Sequence, residues 1–176
     1  KVMTYRGFTR EQIAGFIDHT VLQPAASSDD IRAAVAVAIE ANVAAVCFRP
    51  SDMVLAKELL GSSSVGLATV VGFPHGTNEP SVKAFETSLA VSQGANEIDM
   101  VIHIGHLIEG RDDLVLADIK AVVDAAHAKE ASVKVIFETA FLNDEQIVKA
   151  CELTEAAGAD YVKTSTGFAS EGATLH

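Results

Sequence analysis

Basic residues are scarce in this chain. Its 176 residues include 13 Lys and Arg against 24 Asp and Glu, a formal charge of −11. That balance argues against a broad nucleic-acid or anionic-membrane surface, since both need basic patches. An anionic substrate stays open, provided its cations are local. Cysteine is scarce too. Cys47 and Cys151 lie far apart and suggest no disulfide framework, so reduced thiols and a cytoplasmic setting fit best. No apolar run reaches the roughly 18 residues of a membrane span. The polar start, KVMTYRGFTREQ, does not read as a signal peptide. No linker or low-complexity stretch divides the chain, and GSSS at 61–64 is short enough to be a loop. With 49% hydrophobic and 21% charged residues, the sequence reads as one soluble globular domain with a real core.

Short β-rich runs alternate with longer helical ones. Strands are expected at 17–22, 43–48, 66–72, 97–102, 133–138 and 160–164, and helices near 28–41, 51–60, 79–93, 111–130 and 143–157. Ser28, Ser51, Asn78 and Asn143 stand near helix starts as N-caps, and Pro80 suits a first helical turn. Runs such as AAVCF, LATVV and VKVIF are apolar on both faces, which suits a covered parallel sheet. The strands recur about every 29 residues, the length of one βα unit. GANEIDMV, GADYVKT and ANVAAVCF share a weak internal repeat in which a small residue closes a helix before a strand. No G-x-G-x-x-G follows the first strand. Repeating βα units therefore favour a (β/α) barrel over a dinucleotide-binding fold.

A barrel of this kind carries its chemistry at the C-terminal strand ends. There the sequence offers Asp18-His19-Thr20, then Cys47, GFPHGTN, Glu97 with Asp99, Lys134 with Glu138, and Lys163. Side chains alternate along a strand, so Asp99, Lys134 and Lys163 line up as neighbours if all point inward. The plain alternative is a buried ion-pair network, or lysines turned outward beneath the helices. Lysines on adjacent strands beside a carboxylate favour a functional site. Burial and a nearby cation disfavour an ammonium ion. A neutral Lys163 can then attack a carbonyl and form a Schiff base, with Asp99 relaying protons. Thr164, Ser165, Thr166 and Gly167 would offer hydroxyl and N–H groups to substrate oxygens. Leu114, Ala117, Ala121 and Val122 read as a core stripe, Arg111 to Asp113 as a solvated helix start, and Cys151 as a buried small hydrophobe.

Six segments, FIDHTVLQP, VCFRPSDM, VVGFPHGTN, GANEIDMVIHIG, KVIFETAFL and AGADYVKTSTGF, occur in order from about residue 13. Together they resemble the deoxyribose-phosphate aldolases. The resemblance implies a class I aldolase on a TIM (β/α)8 barrel, an α/β fold. Its reaction would be the reversible cleavage of 2-deoxy-D-ribose 5-phosphate to acetaldehyde and D-glyceraldehyde 3-phosphate. Lys163 matches the Schiff-base lysine and Asp99 the proton-relay aspartate. Asp18, Cys47 and Lys134 match supporting positions, and Thr20 stands beside them on the first strand. No metal or organic cofactor is implied. The partners implied are a phosphorylated sugar and, as one option, further copies of the chain, without nucleic acid or membrane.

Two departures stand out. His103 replaces the asparagine common in the family, a rim position where substrate contacts could change. The family also continues with two more strands, which bring a second lysine and a Gly-rich phosphate site. Residues 1–176 are thus expected to form a single barrel domain that is incomplete at its C-terminal side, with six of eight βα units and exposed edge strands. Lys134 is then the only other site lysine beside Lys163. Two further readings compete. His19, His75 and His103, with His106 nearby, could hold a metal for a metal-dependent barrel enzyme. Or the chain is an inactive aldolase-like one that self-associates through open strand edges.

Overall fold

Strands apolar on both faces need cover on both sides. The structure, a computed structural model, describes residues 4–175 and supplies that cover with helices outside and a curled sheet inside. The chain opens with a short hairpin, β1 (Thr4–Tyr5) and β2 (Phe8–Thr9), and a one-turn helix α1 (Arg10–Ala14). Six strands follow, the first five each leading into helix: β3 (Asp18–Val21), α2 (Ser28–Ala41), β4 (Ala45–Phe48), α3 (Met53–Leu60), β5 (Gly66–Val71), α4 (Pro80–Ser92), β6 (Glu97–Val101), α5 (Ile104–Ile108), α6 (Asp112–His127), β7 (Ser132–Ile136), α7 (Asp144–Ala157) and β8 (Tyr161–Lys163). The sheet order is β3-β4-β5-β6-β7-β8, all parallel. Among the described residues, no helix is long and apolar enough to cross a membrane.

The strands alternate strictly. Val46, Phe48, Leu67, Val71, Ile98, Met100, Val133 and Val135 pack under the helices in the main core. The opposite face carries Ala45, Cys47, Ala68 and Val70, small groups that form a second, separate cluster with Leu22 and Phe73. Small side chains there leave room above them for charged ones. Curvature follows from one contact. β3 and β7 stand four strand spacings apart, about 19 Å in a flat sheet, yet the Asp18 and Lys134 side chains meet at 3.2 Å. The sheet must bend toward a cylinder. A closed (β/α)8 barrel has eight strands; β3 to β8 supply six, and β3 and β8 each pair on one side only. Their edges are exposed as expected, with Ile17, Tyr161 and Val162 about half in solvent.

The repeat read in the sequence is real backbone chemistry. Asn42 and Gly158 end α2 and α7 in the left-handed region, and Gly94 has φ +106 before β6. Gly76 is required for space as well as conformation, since a Cβ there would lie 1.9 Å from the Ile102 carbonyl oxygen. Some expectations shift. Ser27, not Ser28, caps α2 in a box with Asp30; Asn143 caps α7 as expected. Glu79 rather than Asn78 occupies the cap of α4, without a side-chain bond, and Ser51 falls in a 3-10 turn over Pro50–Asp52. The α6 core stripe is Val115, Ile119, Val122 and Ala126; Ala117 is exposed and Leu114 and Ala121 are half-buried, so only Val122 of the expected set is fully inside. Cys151 is exposed, not buried, because it falls on the outer face of α7 while Ala150 and Leu153 face the core.

Candidate active site

The register places the charged residues before any side chain is considered. Asp99 pairs with Lys134 across β6 and β7, and Ile136 pairs with Lys163 across β7 and β8. Asp18, Glu97, Asp99, Lys134 and Lys163 therefore share the concave face. Asp99 is fully buried. Its Oδ2 accepts from Lys163 Nζ at 2.6 Å and its Oδ1 from Lys134 Nζ at 2.9 Å. Lys134 also bonds to Glu97 and lies against Asp18.

The two lysines differ in their surroundings. Burial works against the Lys134 ammonium, but the Asp99 charge and the hydrogen bonds to Glu97 and Asp99 outweigh it and hold its pKa above the usual lysine range. Lys134 thus keeps its proton at any working pH. Lys163 has one carboxylate partner and a side chain 31% exposed. It stands at the tip of an exposed edge strand rather than inside a buried one, and faces the mouth. Burial raises the Glu97 carboxyl above the ordinary carboxylate range, against the pull of Lys134. Cys47 lies fully buried beneath the cluster. Burial first, then the Asp99 charge, pushes its thiol far up, so it stays a thiol.

The remaining expected residues divide. Thr20 lies on the concave face of β3 opposite Cys47 and is exposed. Thr164 is exposed, with its hydroxyl accepting from Ser165 and its carbonyl from Thr139 N–H at 2.9 Å. Gly167 is exposed at φ +82. Thr166 is instead buried: its hydroxyl donates to Glu138 and its N–H to the same carboxylate at 3.2 Å. Two clefts open at the mouth. One of about 720 Å³ is bordered by Thr20, Leu22, Gly167 and Phe168, and one of about 650 Å³ by His75, Ile104, Glu138, Phe141 and Phe168.

Sequence reasoning left Glu97 and Glu138 out of the site. Glu97 had a usable signal, its two-residue spacing from Asp99. Glu138 had only the face it shares with Lys134 by strand alternation; its bonds to Thr166 depend on a turn. The histidines do not gather. His19 borders the larger cleft, His75 the second, and His103 and His106 a third near Asp118. Among the described residues no three His, Cys, Asp or Glu side chains converge to hold a metal ion. His103 has a local structural task. It caps α5, its Nδ1 accepting the His106 N–H at 3.2 Å, a bond asparagine also makes at helix starts.

Curled parallel strands with helices outside and charge at the strand ends place the chain among the (β/α)-barrel proteins. Comparison with known proteins gives the particular family. The model of the DeoC/LacD family aldolases matches residues 13–176. A deoxyribose-phosphate aldolase of Clostridium perfringens is 52% identical over 165 residues, 94% of this chain and 73% of that protein. One from Lysinibacillus sphaericus is 53% identical over 164 residues, covering 93% and 73%. The solved tetrameric deoxyribose phosphate aldolase of Aeropyrum pernix superposes with a TM-score of 0.87 at 32% identity, over 93% of this chain and 68% of that one. The chain belongs to the DeoC/LacD family of aldolases, and so to the lyases.

Proposed function

We propose that this chain cleaves 2-deoxy-D-ribose 5-phosphate reversibly to acetaldehyde and D-glyceraldehyde 3-phosphate through a Schiff base on Lys163. Its relatives carry the name of that reaction. The observation that carries the residue assignment is the asymmetry around Asp99. Lys134 is locked as an ammonium by three carboxylates, and Lys163 has only the carboxylate that can take its proton.

The steps follow from that pair. Lys163 Nζ, its proton passed to Asp99, adds to the substrate aldehyde carbon. Asp99 returns the proton to the departing hydroxyl as water leaves, giving the iminium. A base then takes the proton of the C3 hydroxyl, the C2–C3 bond breaks, and its electron pair moves through C2 to the iminium nitrogen. Glyceraldehyde 3-phosphate departs. Protonation of the enamine carbon and hydrolysis free acetaldehyde and Lys163. The fixed Lys134 cation holds Asp99 in place between these transfers, and Asp18, Thr20, Cys47, Thr164 and Gly167 surround or border the reacting region. Two unpaired cysteines support a cytoplasmic setting.

Borohydride reduction in the presence of acetaldehyde tests this reading. The adduct mass is expected on the Lys163 peptide; a Lys163 left unmodified while another lysine is labelled rejects it. The bare edges of β3 and β8 favour a second reading, in which copies of the chain pair through these strands without turnover. Sedimentation of a monomer across a wide concentration range would reject that alternative.

A further inference from the structure

β8 has three residues and ends at Lys163, whose register partner on β7 is Ile136. A catalytic amine must be held to within a fraction of an ångström, so the bonds just past the end of the ladder matter.

Past the ladder, the chain leaving β7 keeps hold of the chain leaving β8. Phe137 N–H donates to the Lys163 carbonyl at 3.0 Å, and Thr139 N–H to the Thr164 carbonyl at 2.9 Å. Glu138 stands between these two donors with φ +55, a left-handed conformation that a non-glycine residue rarely takes. It is 2% exposed. Both carboxylate oxygens go to one residue: Oε1 accepts the Thr166 N–H and Oε2 the Thr166 hydroxyl. That hydroxyl oxygen in turn accepts the Phe168 N–H at 3.0 Å. The Phe168 ring meets Phe73, from the loop after β5, edge-on with centroids 5.4 Å apart. A buried carboxylate on strained backbone is costly, and its cost points to a task outside the core.

The geometry points to Glu138 as a positioning residue for Lys163. Its carboxylate clamps Thr166, closes the turn that follows the nucleophile, and so fixes where the amine stands relative to Asp99. This rests on the Schiff-base reading of Lys163. It also removes Thr166 from the groups that bind substrate directly, since its hydroxyl proton is committed to Glu138.

The test uses the full chain with Glu138→Gln, Thr166→Val, their double variant and Thr166→Ser. Two quantities are read: amide hydrogen exchange at Thr166 and Phe168, and borohydride trapping with acetaldehyde resolved into a saturating rate and a half-saturating concentration. In Glu138→Gln and Thr166→Val the saturating rate is expected to fall at least about tenfold with half-saturation within about twofold, as displacement of a reacting group predicts. The double variant is expected to be no worse than the poorer single, because both members serve one clamp. Thr166→Ser is expected to restore the rate to within about threefold, since it restores the hydroxyl. Exchange at both amides is expected to quicken at least about tenfold in Glu138→Gln.

Unchanged exchange in Glu138→Gln overturns the clamp. So do losses that multiply in the double variant with rising half-saturation, the pattern of two separate substrate contacts. Should Glu138→Gln fail to fold, the Thr166 pair carries both readouts. Should the wild-type chain give no adduct on Lys163, the Schiff-base reading falls, and the clamp is judged by exchange alone.

Discussion

The Asp99 carboxylate receives Lys163 Nζ at 2.6 Å across 64 positions of sequence. Because Asp99 keeps Lys134 on its other oxygen at 2.9 Å, removing Lys163 does not strand a buried charge. Lys163→Leu should therefore leave the urea midpoint close to wild type, a change within about 1 kcal/mol. It should abolish the borohydride adduct and turnover together. Full turnover in this variant would sink the mechanism.

Lys134→Met acts in the opposite way. It strips the cation from Asp18 and Glu97 and leaves the dry Asp99 with Lys163 alone. Breaking a buried pair from one side costs about 3–5 kcal/mol, so unfolding should occur at much lower urea. The pH dependence has a definite sign. Lys134 is raised above its ordinary value of 10.5 in the folded chain. Its contribution is complete below pH 10.5 and fades as pH climbs toward the folded value, where the unfolded chain has already lost the proton. The stability gap between wild type and Lys134→Met should stay level from neutral pH to about 10 and narrow above it. A gap that closes toward neutral pH would mean Lys134 is not held as an ammonium.

The alignment of Asp99, Lys134 and Lys163 could be read in the sequence because strand periodicity is rigid: two residues always return to the same face. The six strands and five long helices were legible for the same reason. What escaped was short or depended on rotation. β1, β2, α1 and α5 have two to five residues each, too few to show a period. The phase of α6 was missed because Leu114 and Ala117 are apolar like Val115 and Ile119, and packing against α4 and α7 decides which pair turns inward. Thr166 looked like a substrate group because the burial of Glu138 and its left-handed backbone are tertiary facts, invisible in KVIFETAF.

The cysteines offer a check on that inside-outside assignment. Cys47 is sealed under the charged cluster with its thiol pushed far up, and Cys151 is exposed on α7. Iodoacetamide on the native chain should label Cys151 alone, with Cys47 reacting only after denaturation. Peptide masses before and after urea decide it. Early labelling of Cys47 would show that the concave face opens to reagent, and the dry floor of the site would be wrong.

Behind the sheet a second buried pair stabilises the rim. Lys83 of α4 donates to Asp118 of α6 at 2.7 Å and to the Val101 carbonyl at the end of β6 at 2.9 Å. Asp118 also accepts the His103 N–H at 3.1 Å. Both side chains are essentially dry; burial lowers Lys83 and raises Asp118, each toward its neutral form. Lys83→Met leaves Asp118 alone in the core and should cost about 3–5 kcal/mol in urea unfolding. Lys83→Met with Asp118→Leu should recover a large part of that loss, because an apolar pair has no charge to desolvate. Recovery should stay incomplete, since the Val101 carbonyl and the His103 N–H each lose a side-chain partner. If the double variant is as unstable as Lys83→Met, the lost backbone bonds rather than the lone charge govern this corner, and the pair is a strut for the β6 end that presents Asp99.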